Sequence, residues 1–277
     1  MTTSLRVCSL NSGSNANCYY VGNATDAVLI DAGLSASENI KRLQQRSLNE
    51  QAIRAILISH EHSDHIKGLP VLARQLNIPV YASAQTFRFL GLSDDAQQRT
   101  IQDALPLAIG TLQIMPFQKF HDAAEPLSFV ISCDGLHVGV FTDLGRACTN
   151  LIHYFKQCHA AFLESNYDAD WLEKGPYPLH LKKRIRGGEG HLSNTEALAL
   201  LETHYSEQLT HLWLSHLSQT NNHPDRVMEL FRPFQEKLHV SVASRYESSA
   251  VFQIESERRF ALTPHRNPVL KQARLFG

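Results

Sequence analysis

Short apolar runs separated by polar turns set the rhythm of this chain. Residues 5–10, 19–21 and 27–30 have the apolar and β-branched content of strands, and a Ser-, Asn- and Gly-rich loop over 11–17 parts the first two. A helix is predicted over 35–46, where Ser35 and Glu38 have capping-box spacing. The run Ala55-Ile56-Leu57-Ile58 predicts a buried strand, followed by a polar segment, a helix near 67–76 and a strand over 79–82. The alternation continues with predicted strands over 112–117, 129–133, 137–142 and 160–163. A helix follows Ser193, again with capping-box spacing, here to Glu196. A strand over 209–215, a helix over 224–234 and strands near 239–243 and 251–254 complete the pattern. Hairpin-like strands mixed with crossover helices predict α/β (α+β) architecture, sheets covered by helices, in one domain spanning 1–277. The tail over 255–277 has weak periodicity and is expected to be a frayed end or a contact arm.

Composition narrows the function classes. With 26 Lys+Arg against 27 Asp+Glu, the formal charge of −1 excludes a globally basic nucleic-acid coat, so any polyanion contact must be local. No run of about 18 apolar residues occurs, so no membrane partner is expected. The start lacks the apolar stretch of a secretory signal, and five cysteines without a CxxC pair argue against a disulfide framework; a cytoplasmic protein is the expectation. The unusual count is histidine, 15 in 277 residues.

Spacing gives those histidines meaning. Ser59-His60-Glu61-His62-Ser63-Asp64-His65 places four candidate ligands just after a predicted buried strand. On extended chain, side chains two apart share a face, so His60 and His62 can chelate one ion. A turn into the next helix would let Asp64 and His65 meet a second. Imidazole and carboxylate suit Zn²⁺ or Mn²⁺, and Fe is accepted by the same donors. The spacing is not that of a helical His-Glu-x-x-His protease. Walker A, GxGxxG and Gly-x-Ser-x-Gly sequences are absent.

His60-x-His62-x-Asp64-His65 resembles the signature of the metallo-β-lactamase superfamily. That resemblance implies a four-layer αββα sandwich with a one- or two-metal hydrolytic site at the sheet edge. By the same resemblance, His121 completes the first metal site, Asp143 bridges both metals, His216 serves the second, and Asp31 orients the histidine loop by hydrogen bond. The segments Ser12-Gly13-Ser14-Asn15-Ala16-Asn17, Gly175-Pro176-Tyr177-Pro178, Gly190-His191-Leu192-Ser193-Asn194 and Asn221-Asn222-His223-Pro224 are similar to those of YycJ/WalJ-type members, regarded as 5′-to-3′ DNA exonucleases or related phosphodiesterases. Tyr167 departs from that pattern, standing where many relatives have His.

The expected activity is metal-dependent hydrolysis of a phosphodiester in nucleic acid, DNA favoured, by a hydroxide bridging two divalent ions, whose bound water would ionise near pH ~7. Asp64 and His191 are the candidate proton-transfer residues. Ser14, Asn17, Lys183, Arg184 and Asn194 are candidate substrate contacts, the two cations belonging to a local cluster with Lys182 and Arg186. Other readings are a metallohydrolase of a small ester, thioester, lactone or cyclic nucleotide, a di-iron redox protein, or a metal-stabilised binding protein. The redox reading is disfavoured because no flavodoxin-like module follows.

Overall fold

The computed structural model describes residues 4–92, 97–255, 257 and 259–265. Their strands form two sheets of seven. The first runs, in spatial order, β14 (Phe252–Ile254), β1 (Leu5–Asn11), β2 (Cys18–Gly22), β3 (Ala27–Ile30), β4 (Ile53–Leu57), β5 (Val80–Ala82) and β6 (Gln98–Thr100). The second runs β13 (His239–Val242), β12 (His211–Ser215), β11 (Ala160–Glu164), β10 (Leu136–Phe141), β9 (Leu127–Cys133), β8 (Leu112–Gln118) and β7 (Leu107–Ile109). Each sheet joins an antiparallel part to a parallel one, β3 to β6 and β10 to β13. Parallel neighbours need crossovers, and the helices supply them.

Period-2 patterning sorts side chains between two environments. On β11, Ala160 and Phe162 enter the inter-sheet core while Ala161 and Leu163 face the helices. On β12, Trp213 turns inward, stacking on Phe162 at 4.7 Å, and Leu212 and Leu214 turn outward. A bulge between Ala27 and Val28 lets Ile53, which opposes Ala27, pack on the helix side while Ala55 and Leu57 face the other sheet. Helices α1 (Ala36–Gln45) and α3 (Leu69–Leu76) cover the first sheet through Leu43, Leu72 and Ala73. Helices α5 (Thr149–Phe155), α8 (Asn194–His204) and α9 (Pro224–Phe231) cover the second through Leu151, Leu201 and Phe231. Each fully buried Leu or Phe contributes about 1.5–3 kcal/mol, so three apolar layers give a large core. The expected αββα sandwich is present. The shorter helices are α2 (Ser63–Ile66), α4 (Ala84–Phe87), α6 (Ala169–Lys174) and α7 (Leu179–Arg186).

Several predicted boundaries shift for local reasons. The helix expected over 67–76 begins at Leu69 as α3, and a separate short helix, α2, precedes it over Ser63–Ile66. Gly68 stands between them, where any Cβ would lie 1.8 Å from the Leu34 carbonyl oxygen. The helix expected over 224–234 ends as α-helix at Phe231 and tightens to a 3₁₀ turn around Pro233, which cannot donate a ladder hydrogen bond. Strands β6 and β7 and helix α5 were not predicted. The first two are three-residue edge elements, and β6 is entirely polar. The tail is docked, not frayed, over its described part. The Phe260 carbonyl meets His137 Nε2 at 2.8 Å, Thr263 N–H donates to Gln157 Oε1 at 2.7 Å, and His265 N–H donates to the Tyr154 hydroxyl at 3.0 Å. Residues 266–277 lie outside the described residues. Among the described residues, no helix is long and apolar enough to cross a membrane.

Candidate metal centre

Strand ends at one edge of the sandwich deliver the site. Asp31 follows β3, His60 follows β4, His121 follows β8, Asp143 follows β10, Glu164 closes β11 and His216 follows β12. His62 caps α2, which carries Asp64 and His65. Asp31, Asp143 and His216 have φ of 62°, 53° and 56°. Left-handed backbone at non-glycine residues costs about 1–3 kcal/mol each and persists only where the surroundings enforce it. They do so here: Asp31 N–H donates to the Leu57 carbonyl at 2.8 Å, and His216 N–H donates to Ser12 Oγ at 2.8 Å.

Two ligand clusters adjoin. In the first, His62 Nδ1 lies 3.0 Å from His60 Nε2 and 3.2 Å from His121 Nε2. In the second, Asp64 Oδ2 lies 3.4 Å from both His65 Nε2 and His216 Nε2. Asp143 stands between them, with Oδ2 3.2 Å from His65 Nε2 and Oδ1 3.5 Å from His216 Nε2 and 3.8 Å from His121 Nε2. Asp143 Oδ2 is buried and makes no hydrogen bond. A buried carboxylate oxygen that faces imidazole nitrogens without a well-formed hydrogen bond is costly unless a cation takes its lone pairs. The donor set therefore fits divalent ions, with tetrahedral-type nitrogen and oxygen ligation available to each cluster.

The ring nitrogen of each buried histidine that faces away from its cluster is also held, which fixes ring orientation. His65 Nδ1 lies 2.7 Å from Asp31 Oδ2, His121 Nδ1 lies 3.0 Å from the Gly190 carbonyl, and His60 Nδ1 lies 2.9 Å from Ser59 Oγ. Ser59 in turn donates its hydroxyl and its N–H to Asp31, at 2.9 and 2.8 Å. Asp31 is thereby hydrogen-bonded to both ends of the histidine-bearing segment, at Ser59 and His65. Gly33 completes the cradle: a Cβ there would lie 1.8 Å from the Asp64 carbonyl oxygen.

The electrostatics record a place for positive charge. Burial raises the Asp143 carboxyl, but the charges of His216 and His65 outweigh it and hold it well below the usual range. Asp64 is lowered in the same way by His65 and His216 against its burial. Burial lowers His216, yet Asp143, Asp64 and Glu164 raise it to about 10. His65 is likewise raised, its burial overcome by Asp143 and Asp31. Burial dominates at His60 and His121, which are pushed down and stay neutral, the form that ligates.

Two residues of the site went unread in the sequence. Glu164 is fully buried, 2.8 Å from His191 Nδ1 and 3.0 Å from His216 Nδ1 through Oε1. The available signal was an acid ending an apolar strand run, the same context as Asp31 and Asp143. Lys119 is also buried, donating from Nζ to the Thr142 carbonyl at 2.7 Å beside Asp143. His191 lies at the rim, its ring centroid 5.5 Å from that of His121 and 5.2 Å from that of His216.

The expected substrate contacts divide. Ser14 is exposed on its loop. Asn17 is buried beneath the second cluster, its amide donating to Asp64 Oδ2 at 3.2 Å, so it supports ligands rather than meeting substrate. Asn194 is also closed off: its carbonyl accepts from Ser165 Oγ at 2.7 Å and from the Asn222 amide at 2.8 Å. On α7, Arg184 pairs with Asp122 and Arg186 with Glu173, so the basic cluster is partly neutralised, while Lys183 remains exposed. Tyr167 packs with Leu172 and Ile185, and burial raises its phenol to about 12, so it is neutral and outside both ligand clusters.

Comparison with known proteins agrees with this geometry. The Beta-lactamase superfamily domain profile matches residues 26–216. The chain is similar to "Exodeoxyribonuclease YycJ" of Bacillus anthracis, 35% identical, covering 77% of this chain and 82% of that protein. It is 31% identical to "Exodeoxyribonuclease WalJ" of Streptococcus pneumoniae, covering 77% and 81%. In three dimensions it resembles the metallo-beta-lactamase fold protein YhfI from Bacillus subtilis, with a TM-score of 0.68 at 19% identity, covering 91% of this chain and 99% of that one.

Proposed function

Because the chain belongs to the β-lactamase superfamily and is a metal-dependent hydrolase, we propose that it cleaves phosphodiester bonds of nucleic acid, DNA in the first instance. The observation that carries this reading is the pair of adjoining ligand clusters around Asp143, whose buried Oδ2 has no hydrogen-bond partner. The names of the two exodeoxyribonucleases support DNA as the polymer.

His60, His62 and His121 would hold one ion and Asp64, His65 and His216 the other, with Asp143 placed between the two groups. Zn²⁺ and Mn²⁺ are the leading candidates, with Fe accepted by the same donors. Bound divalent ions supply Lewis acidity toward phosphoryl oxygens and a water of lowered pKa. Asp64, held ionised, takes a proton from the attacking water. His191, with Nδ1 engaged by Glu164, has Nε2 available to protonate the leaving oxygen. Ser14 and Lys183 are open to the substrate strand. The five cysteines, all buried and unpaired, suit a reducing cytoplasm.

A panel assay tests this reading. The protein loaded with each defined metal is offered 5′-phosphorylated duplex DNA, single-stranded DNA, RNA and a chromogenic phosphodiester. DNA cleavage is expected, falling by about a hundredfold or more in His60→Ala and in Asp143→Ala with the fold retained by circular dichroism. Undiminished turnover in either variant, or after thorough metal removal, would reject the mechanism.

A further inference from the structure

Two open clefts that meet at His223 differ in charge. The larger, about 960 Å³, is lined by Asp168, Asp170, Asp225 and Glu229, and its one arginine, Arg226, is already paired with Asp168 at 2.5 Å. That wall repels a polyanion. The smaller, about 340 Å³, has no carboxylate in its lining and includes Ser12, Leu217, Ser218, Arg245 and Tyr246. Two of its lining residues adjoin the candidate ligand His216: Leu217 follows it in the chain, and Ser12 Oγ accepts the His216 N–H at 2.8 Å.

Within this cleft, backbone is fixed and side chains are unused. Ser12 N–H donates to the Ser244 carbonyl at 3.0 Å, Ser244 Oγ accepts Tyr246 N–H at 3.1 Å, and Arg42 Nη2 donates to the Tyr246 carbonyl at 2.8 Å. The Asn15 amide donates to the Arg245 carbonyl at 3.1 Å, tying the Ser14-bearing loop to the same wall. Yet Arg245 Nη1 is buried without a hydrogen-bond partner, and Arg245 forms no ion pair among the described residues. Tyr246 is 72% exposed, its ring centroid 6.0 Å from the Arg245 guanidinium carbon. A half-buried guanidinium with one buried, unsatisfied nitrogen calls for an anion, and an exposed aromatic held on ordered backbone offers a stacking platform. Phosphate and base occur together in a nucleotide, and paired arginine and aromatic groups are how proteins grip single strands.

We infer that this cleft binds the nucleotide adjoining the scissile phosphodiester, Arg245 taking a phosphate and Tyr246 stacking on its base. This rests on the nucleic-acid reading above. The test is fluorescence anisotropy of a labelled single-stranded phosphorothioate oligonucleotide on the metal-loaded full chain, across a salt series. Tyr246→Ala is expected to weaken binding about tenfold, with Tyr246→Phe restoring it. Arg245→Gln is expected to lower the slope of log Kd against log salt by about 0.7. Trp171→Ala, in the acidic cleft, is expected to bind like the wild type. Unchanged affinity and slope in the Tyr246 and Arg245 variants, with a wild type that binds, overturns the subsite alone. An equal loss in Trp171→Ala also overturns it. A wild type that binds no oligonucleotide overturns both the subsite and the nucleic-acid reading.

Discussion

The Glu164 carboxylate serves both histidines and backbone: Oε1 meets His191 and His216, and Oε2 accepts the N–H of Leu144 at 2.6 Å and of Leu192 at 3.1 Å. Burial raises its carboxyl, but the nearby His191 and His216 bring it below the usual range, so it stays ionised. It therefore positions one metal-centre histidine and the candidate general acid together. Glu164→Gln keeps the size and removes the charge, and is expected to weaken metal binding about 10–100-fold, measured by competition with a chelator. Unchanged affinity would reduce Glu164 to a fold residue. The candidate ligands His60, His62, Asp64 and His65 stand out in the sequence because they are close together at a distinctive spacing. Glu164 and Lys119 do not, since their role depends on neighbours from other strands.

At the scale of elements, the strands carried a clear signal wherever one face met another sheet and the other met helices. The signal failed at polar β6 and at α5, where the local sequence does not determine which partner covers it. The tail shows the same limit. Its described part docks against β10 and α5 through single contacts, with no periodicity to announce them. His137, on β10, records that docking. Burial lowers its imidazole to about 4, against a weaker opposing pull from the Phe260 carbonyl. As pH falls below 6.5 the unfolded chain takes this proton before the folded one does. The contribution is present in full above about pH 6.5, is lost between 6.5 and about 4, and changes no further below that. Its size is on the order of 3 kcal/mol. Comparing urea unfolding of wild type and His137→Gln across this window should show the wild type losing that much more stability. Parallel curves would contradict the assignment.

For the molecule as a whole, the balance of 26 basic and 27 acidic residues conceals a strong separation of charge. Buried Asp31, Asp143 and Glu164 and half-buried Asp64 converge at one edge, while the cleft lined by Ser12, Leu217 and Arg245 holds no carboxylate. Histidine divides in the same way. His60, His62, His65, His121 and His216 form the ligand clusters, and others such as His137 and His153 hold structural contacts to the tail. The sandwich brings six strand ends and one short helix to the same edge, an assembly that sequence spacing alone could only partly disclose. We propose that its central consequence is a two-ion centre. Elemental analysis of protein purified from metal-rich medium tests it most directly: the account predicts about two divalent ions per chain, and a stoichiometry well below one would contradict it.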